Sequence, residues 1–264
     1  MTCSKKTGLT WCSTWRHRRG CRFSIEKPYK YLEANLTGFL NILEACRQFP
    51  VEHLIFASSS SVYGSNEKIP FSEHDHTDHP ESLYAATKKA NEMMAHSYSS
   101  LYGIPCTGLR FFTAYGPWGR PDMAYFSFTR AIFEGTIIRL FNHGKMSRDF
   151  TYIDDITEGI AGLLQVIPAR ADGNSSPALS KRGPFALYNI GNNKPVSLIN
   201  FISTLESVIG KKARIEMHDK QPGDVEQTYA DIDALKAVTG YTPRTGIEEG
   251  LSQFVSWFKS YYGY

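Results

Sequence analysis

Residues 51–60 read VEHLIFASSS, and residues 82–116 read SLYAATKKANEMMAHSYSSLYGIPCTGLRFFTAYG. The first is a short apolar run ending in small polar residues, the pattern of a buried parallel strand. The second begins as a helix, which Gly103 closes as a residue suited to the position just past a helix end. It continues into another strand over PCTGLRFFTAYG. Strand, crossover helix and strand in succession are the grammar of an α/β protein with a doubly wound parallel sheet.

The pattern extends in both directions. Upstream, YLEANLTGFLNILEACRQF (31–49) sets Leu32, Leu36, Phe39, Leu40, Leu43 and Cys46 at helical spacing. Residues 61–81 contain Gly64, Pro70 and Pro80 and read as a long loop. Downstream, MAYFSFTRAIFEG is helical and TIIRLFN extended. YIDDITEGIAGLLQVI is helical, with Asp154 and Asp155 in the first turn, where acids suit the helix dipole. Residues 168–184 read as a flexible loop, FALYNIG as a strand, and SLINFISTLESVIG and IEEGLSQFVSWFKSYY as helices. Residues 1–24 show neither period, and the chain has no internal repeat.

Composition narrows the class. Of 264 residues, 42% are hydrophobic and 21% charged, as in an ordinary globular protein, and no apolar run approaches a membrane span. Residues 1–30 hold eight lysines and arginines against Glu26 alone, a net +7 that leaves −4 for the rest of a chain totalling +3. The basicity thus belongs to the leader and does not mark a nucleic-acid partner. The leader lacks the apolar stretch of a secretory signal, and its Arg-rich character resembles a transit peptide only weakly. Five cysteines at no metal-binding spacing suit a reducing compartment, and the cytoplasm is the expected location. His74, Asp75, His76 and His79 sit in a loop without a partner cluster, so no metal is expected.

Tyr84 and Lys88 are four residues apart, hence on one helix face. Such a pair is common by chance. Here a strand ending in serines precedes it, and doubly wound sheets form ligand sites at the carboxyl ends of strands. Ser59, Tyr84 and Lys88 can therefore meet. The motifs ASSSSVYG, SLYAATKKANE, TGLRFFTAYGPWGRPDMA, GKMSRDFTYIDDI, YNIGN and QPGDV, in that order, resemble those of the extended short-chain dehydrogenase/reductases, the NAD-dependent epimerase/dehydratase family. Among its nucleotide-sugar epimerases the likeness is greatest to UDP-glucuronate 4-epimerases, over residues 22–264.

The resemblance implies a Rossmann-like sheet lacking its first strands, joined to a smaller C-terminal substrate-binding domain. The expected division is a leader over 1–21, a remnant of the NAD-binding domain over 22–115 and a UDP-sugar-binding domain over 116–264. Helix 153–167 and strand 185–190 return to the first domain. It implies NAD as cofactor, Tyr84 as general base, Lys88 as its electrostatic partner and holder of the nicotinamide ribose, and Ser59 on the C4 oxygen. Phe111, with Phe112 beside it, would pack on the nicotinamide, and Asn35 would fix the active-site strand. Ser61, Thr113, Arg120 and, more weakly, Arg22 would meet the uronate carboxylate. Arg148 would bind the diphosphate and Asp224 the uridine ribose. A loop arginine, a strand-end threonine and a turn aspartate are also the ordinary readings of Arg120, Thr113 and Asp224. Ser60 and Ser61 stand where related decarboxylases and dehydratases carry acids. A homodimer through helices 35–47 and 81–102 is implied as well.

One family feature is missing. The G-x-x-G-x-x-G turn that lets a pyrophosphate approach a helix N-terminus occurs nowhere in residues 1–60. The chain is expected to be N-terminally truncated relative to the family, to bind NAD poorly and to have little or no activity. Residues 1–21 read either as out-of-frame or intronic translation or as a genuine short isoform. Two other functions stay open: an epimerase for another UDP-sugar, and a non-catalytic UDP-sugar-binding or dimerisation fragment.

Overall fold

The computed structural model describes residues 11–14, 21–171, 178–220 and 226–264, with side chains from Ser24 onward. In chain order the elements are β1 (Trp11–Thr14), α1 (Cys21–Glu26), α2 (Pro28–Tyr31), α3 (Gly38–Gln48), β2 (His53–Ala57), α4 (Leu83–Tyr102) and β3 (Cys106–Phe111). Then come β4 (Thr113–Tyr115), α5 (Ala124–Glu134), β5 (Ile137–Leu140), β6 (Ser147–Tyr152), α6 (Ile153–Leu163) and β7 (Phe185–Ile190). The last are β8 (Pro195–Ser197), α7 (Leu198–Ile209), β9 (Arg214–Met217), β10 (Gln227–Thr228), α8 (Asp233–Thr239) and α9 (Ile247–Tyr262). A π-helical turn, Leu32–Thr37, joins α2 to α3, and a 3-10 turn, Ser60–Tyr63, follows β2. No helix among the described residues is long and apolar enough to cross a membrane.

The chain divides into two units, one of residues 1–111, 159–190 and 231–241, the other of 112–158, 191–230 and 242–264. The first is built on a parallel sheet in the order β1-β2-β3-β7. All five residues of β2 are buried, as a strand covered on both faces requires. Phe39, Leu43 and Cys46 of α3 and Ala95 of α4 meet Leu54, Phe56, Cys106 and Phe185 of the sheet. α4 begins where the Ser82 hydroxyl accepts the Ala85 N–H at 3.1 Å and ends at Gly103, whose φ of 68° is left-handed. β1 is a difference from the sequence reading: four residues are too few to display a period, yet they pair in parallel register with β2.

The stretch 105–116, read as one strand, is two. β3 runs between β2 and β7, whereas β4 pairs with β6 in the second unit. Between them the Ala114 N–H turns back to the Phe112 carbonyl at 3.0 Å, which breaks the ladder.

The second unit holds the sheet β10-β6-β4, with β8 antiparallel to β6, and the separate parallel pair β5-β9. Its core is aromatic and aliphatic: Phe126, Phe150, Phe201, Leu205, Phe254 and Phe258 are all buried. Phe150 stacks on Phe201 with centroids 4.3 Å apart, and each such ring contributes about 1.5–3 kcal/mol by burial. The Asp149 carboxylate, also buried, accepts the backbone N–H groups of Asn192, Asn193 and Ala230 and fixes the 191–193 turn.

Candidate active site

The serine run lies where β2 stops. Ser59, in extended backbone, caps the 3-10 turn by accepting the Ser61 N–H at 3.2 Å, and its hydroxyl donates to Ser61 Oγ at the same distance. Gly64 closes this turn with φ 53°, and a Cβ there would sit 1.9 Å from the His79 carbonyl oxygen, so only glycine fits.

α4 presents its first turns to this strand end. Lys88 is 1% exposed, and its ammonium donates to the carbonyl of Ala57, the last residue of β2, at 2.8 Å. Tyr84, also buried, meets Tyr31 edge to face, and its N–H donates to Ser24 Oγ at 3.4 Å. Asn35 lies in the π turn, a form of helix often found at functional sites. Its amide donates to Thr87 Oγ1 at 3.0 Å, and Thr87 in turn donates to the Tyr84 carbonyl at 2.8 Å. Asn91 returns a hydrogen bond to the Asn35 carbonyl at 2.7 Å. The turn carrying Tyr84 and Lys88 is thereby tied to two other elements.

The sequence reading assigned no role to what lies one helical turn further. Glu92, fully buried, accepts from Ser58 Oγ at 2.6 Å and from Arg110 Nε and Nη2, both at 2.9 Å. Arg110 also donates to the Tyr63 hydroxyl at 3.1 Å, and its guanidinium lies 4.9 Å from that ring's centre. Tyr63 donates to Asn189 Oδ1 at 2.6 Å. Asn189, the residue facing Arg110 across the β3–β7 ladder, donates to the carbonyls of Phe71 and Asp231. Burial opposes the Arg110 charge, but Glu92 and Tyr63 outweigh it and hold the guanidinium above its ordinary pKa. Burial pushes the Tyr63 phenol up, so it stays a neutral donor, and burial likewise raises the Glu73 carboxyl, which accepts the Asn189 N–H. Two signals could have exposed this group: an arginine inside an apolar strand, and a Tyr84–Lys88–Glu92 stripe at intervals of four.

Of the residues singled out from sequence, Ser59, Ser61, Tyr84, Lys88, Asn35 and Phe111 lie in the first unit, with Phe111 half-buried at the end of β3. Phe112, Thr113, Arg120 and Arg148 belong to the second. Arg120 closes its fork on Asp122 through Nε at 2.9 Å and through a shorter Nη2 contact. Arg148, in β6, donates from Nη1 to the carbonyls of Ser147 and Glu226, at 2.8 and 3.2 Å. Asp224 lies outside the described residues, and Arg22 falls in α1 with its side chain outside them.

A parallel sheet whose strand β2 runs out into the serine run, with Lys88 of α4 seated on the Ala57 carbonyl, is the frame of a doubly wound α/β protein, in which ligand sites form at the carboxyl ends of strands. Residues 16–175 match the NAD dependent epimerase/dehydratase family, and the chain belongs to it. A probable UDP-glucuronate 4-epimerase of Rhizobium meliloti is 48% identical over 247 residues, 92% of this chain and 72% of that protein. An uncharacterized 37.6 kDa protein of Escherichia coli is 56% identical over 251 residues, 93% of this chain and 75% of that one. Among solved structures, UDP-glucuronic acid 4-epimerase from Bacillus cereus, in complex with UDP-glucuronic acid and NAD, matches with TM-score 0.81 and 32% identity, covering 93% of this chain and 74% of that one.

The family's cofactor is NAD. At the end of β2 the structure places the buried Lys88 ammonium, on the Ala57 carbonyl. Before Ser60 the glycines are Gly8, Gly20 and Gly38, too far apart for a G-x-x-G-x-x-G turn.

Proposed function

We propose that this chain carries the catalytic groups for epimerisation at C4 of a UDP-uronic acid, UDP-glucuronate to UDP-galacturonate, and holds NAD weakly. The observation that carries this reading is Lys88 seated on the Ala57 carbonyl beside Ser59, with Tyr84 one turn away on the same helix. NAD, when bound, supplies hydride transfer at C4. Tyr84 takes the proton from the C4 hydroxyl and returns it to the C4 oxygen once the carbon has been reduced again on its other face, work for which a phenol of pKa near 10 needs help. Lys88 gives that help: a fixed ammonium one turn away favours the phenolate. Ser59 donates to the C4 oxygen and keeps the sugar in line. Within the first unit, Ser61 is proposed for the carboxylate and Phe111 and Asn35 for the nicotinamide side; for the second unit taken by itself, Arg148 and Asp224 are proposed for the UDP portion.

The weak hold on NAD follows from the absent glycine turn. A homodimer through α3 and α4 belongs to the same proposal, since these helices leave Leu40, Met93 and Tyr102 exposed, as does a cytoplasmic location. The test is to purify the chain, measure co-purified NAD and follow UDP-glucuronate by proton NMR over a series of added NAD. The expected result is little bound NAD and slow UDP-galacturonate formation that rises with NAD. Conversion of a different UDP-sugar in preference would overturn the substrate assignment. Fast turnover with one NAD per chain would overturn the weak hold.

A further inference from the structure

We infer that the buried Arg110–Glu92 pair is a positioning device that sets α4 against the end of β2 and so aligns Tyr84 and Lys88 with Ser59. The inference rests on the reading of these three residues as the reacting groups. Two adjacent rungs join helix and strand: Lys88 Nζ to the Ala57 carbonyl, and Ser58 Oγ to Glu92 Oε1. Tyr84, Lys88 and Glu92, each four residues from the next, lie along one face. The second rung is held from below, because Arg110 of β3 grips both Glu92 oxygens in parallel, the planar two-point geometry that only a guanidinium offers. Arg110 is itself oriented by Tyr63 of the 3-10 turn that Ser59 caps, and Tyr63 by Asn189 of β7. One continuous chain of hydrogen bonds therefore touches Ser58, the turn after Ser59 and the helix bearing Tyr84.

Stability alone does not account for it. A buried ion pair is often replaced by apolar residues of similar volume at no cost. What apolar residues cannot reproduce is direction: they fill space but do not fix the rotation and depth of a helix. The reaction needs that, since a displacement of about 1 Å at a reacting group can cost ~100-fold in rate.

The experiment separates alignment from folding and needs no turnover. The full chain is labelled with tyrosine carrying 13C at Cζ, and the Tyr84 signal is assigned by its loss in Tyr84→Phe. The doubly substituted Arg110→Met/Glu92→Met protein is then compared with the parent. It is expected to melt no lower than the parent, yet its Tyr84 signal moves or splits. Tyr115, Tyr125 and Tyr152, which belong to the second unit, keep theirs. Tyr63 loses Arg110 directly and must move in either case, which makes it the control. A folded double variant whose Tyr84 signal superimposes on the parent's overturns the inference. Should that variant not fold, Glu92→Gln decides in the same way. It keeps an acceptor for Ser58 while setting an amide N–H against Arg110. If Tyr84 moves but the parent converts no UDP-glucuronate at any NAD concentration, the functional reading falls and the alignment stands. If the parent converts it and Tyr84 stays in place, the reverse holds.

Discussion

In the first unit Arg110, Glu92 and Lys88 are each no more than 2% exposed, and a hydrogen-bonded path runs from Ser58 to Asn189. In the second, apart from the buried Asp149 carboxylate on its three backbone N–H groups, the interior is ring against ring: Phe254 meets Tyr125 at 5.0 Å, Phe258 meets Phe126 at 5.2 Å and Phe133 at 5.6 Å. Apolar packing is tolerant of direction and yields stability through area. Buried charge yields little net stability but demands one geometry. The unit proposed to do proton chemistry is thus the one whose interior dictates direction.

The largest effects should separate the two kinds of interior. Arg110→Met alone leaves the buried Glu92 carboxylate with the Ser58 hydroxyl and only the more distant Lys89 ammonium, 3.7 Å away, and should cost about 3–5 kcal/mol. Adding Glu92→Met should recover that loss in full. Phe254→Ala in the second unit should cost a similar ~3–5 kcal/mol through the cavity it leaves. No single further truncation nearby should recover it. Urea midpoints of the three variants read this directly, and failure of the second methionine to rescue the first would break the comparison.

A smaller effect concerns pH. His53 begins β2, fully buried, with Nε2 2.8 Å from Thr107 Oγ1, and burial lowers its pKa from 6.5 to about 4. As pH falls, the unfolded chain takes up this proton first, so the contribution is fully present above pH 6.5 and is lost between 6.5 and about 4. At ~1.4 kcal/mol per pH unit the loss is on the order of 3 kcal/mol at most. His53→Gln should flatten the dependence of melting temperature on pH in that window. An unchanged slope would show that other groups set it. The smallest effect is Ser82→Ala, which removes the α4 cap and should cost ~1 kcal/mol in chemical denaturation, without the rescue seen at Arg110.

Much of the first unit was legible because its signals are local. VEHLIFASSS announced a buried strand with a polar end, Gly103 marked the end of what is a 20-residue helix, and the spacing of Tyr84 and Lys88 put them on one face. β1 escaped because four residues cannot show a period, and the break at Phe112 because the apolar run does not change where the chain leaves one sheet for another. The Arg110 group escaped for a different reason. Tyr63 and Asn189 are 126 residues apart, and Ser58 and Glu92 are 34 apart. No local pattern joins them, although an arginine in the run CTGLRFF was an oddity that only a buried partner could explain.

Tyr84, Lys88 and Ser59 are proposed to act at C4 of a UDP-uronic acid in a chain that holds NAD weakly. Proton NMR of UDP-glucuronate incubated with the parent and with Tyr84→Phe, at rising NAD, tests this most directly. The account predicts UDP-galacturonate from the parent in an amount that follows added NAD, and a rate lower by ~100-fold or more without the phenol. Equal rates from the two proteins, or no UDP-galacturonate at saturating NAD, would contradict it.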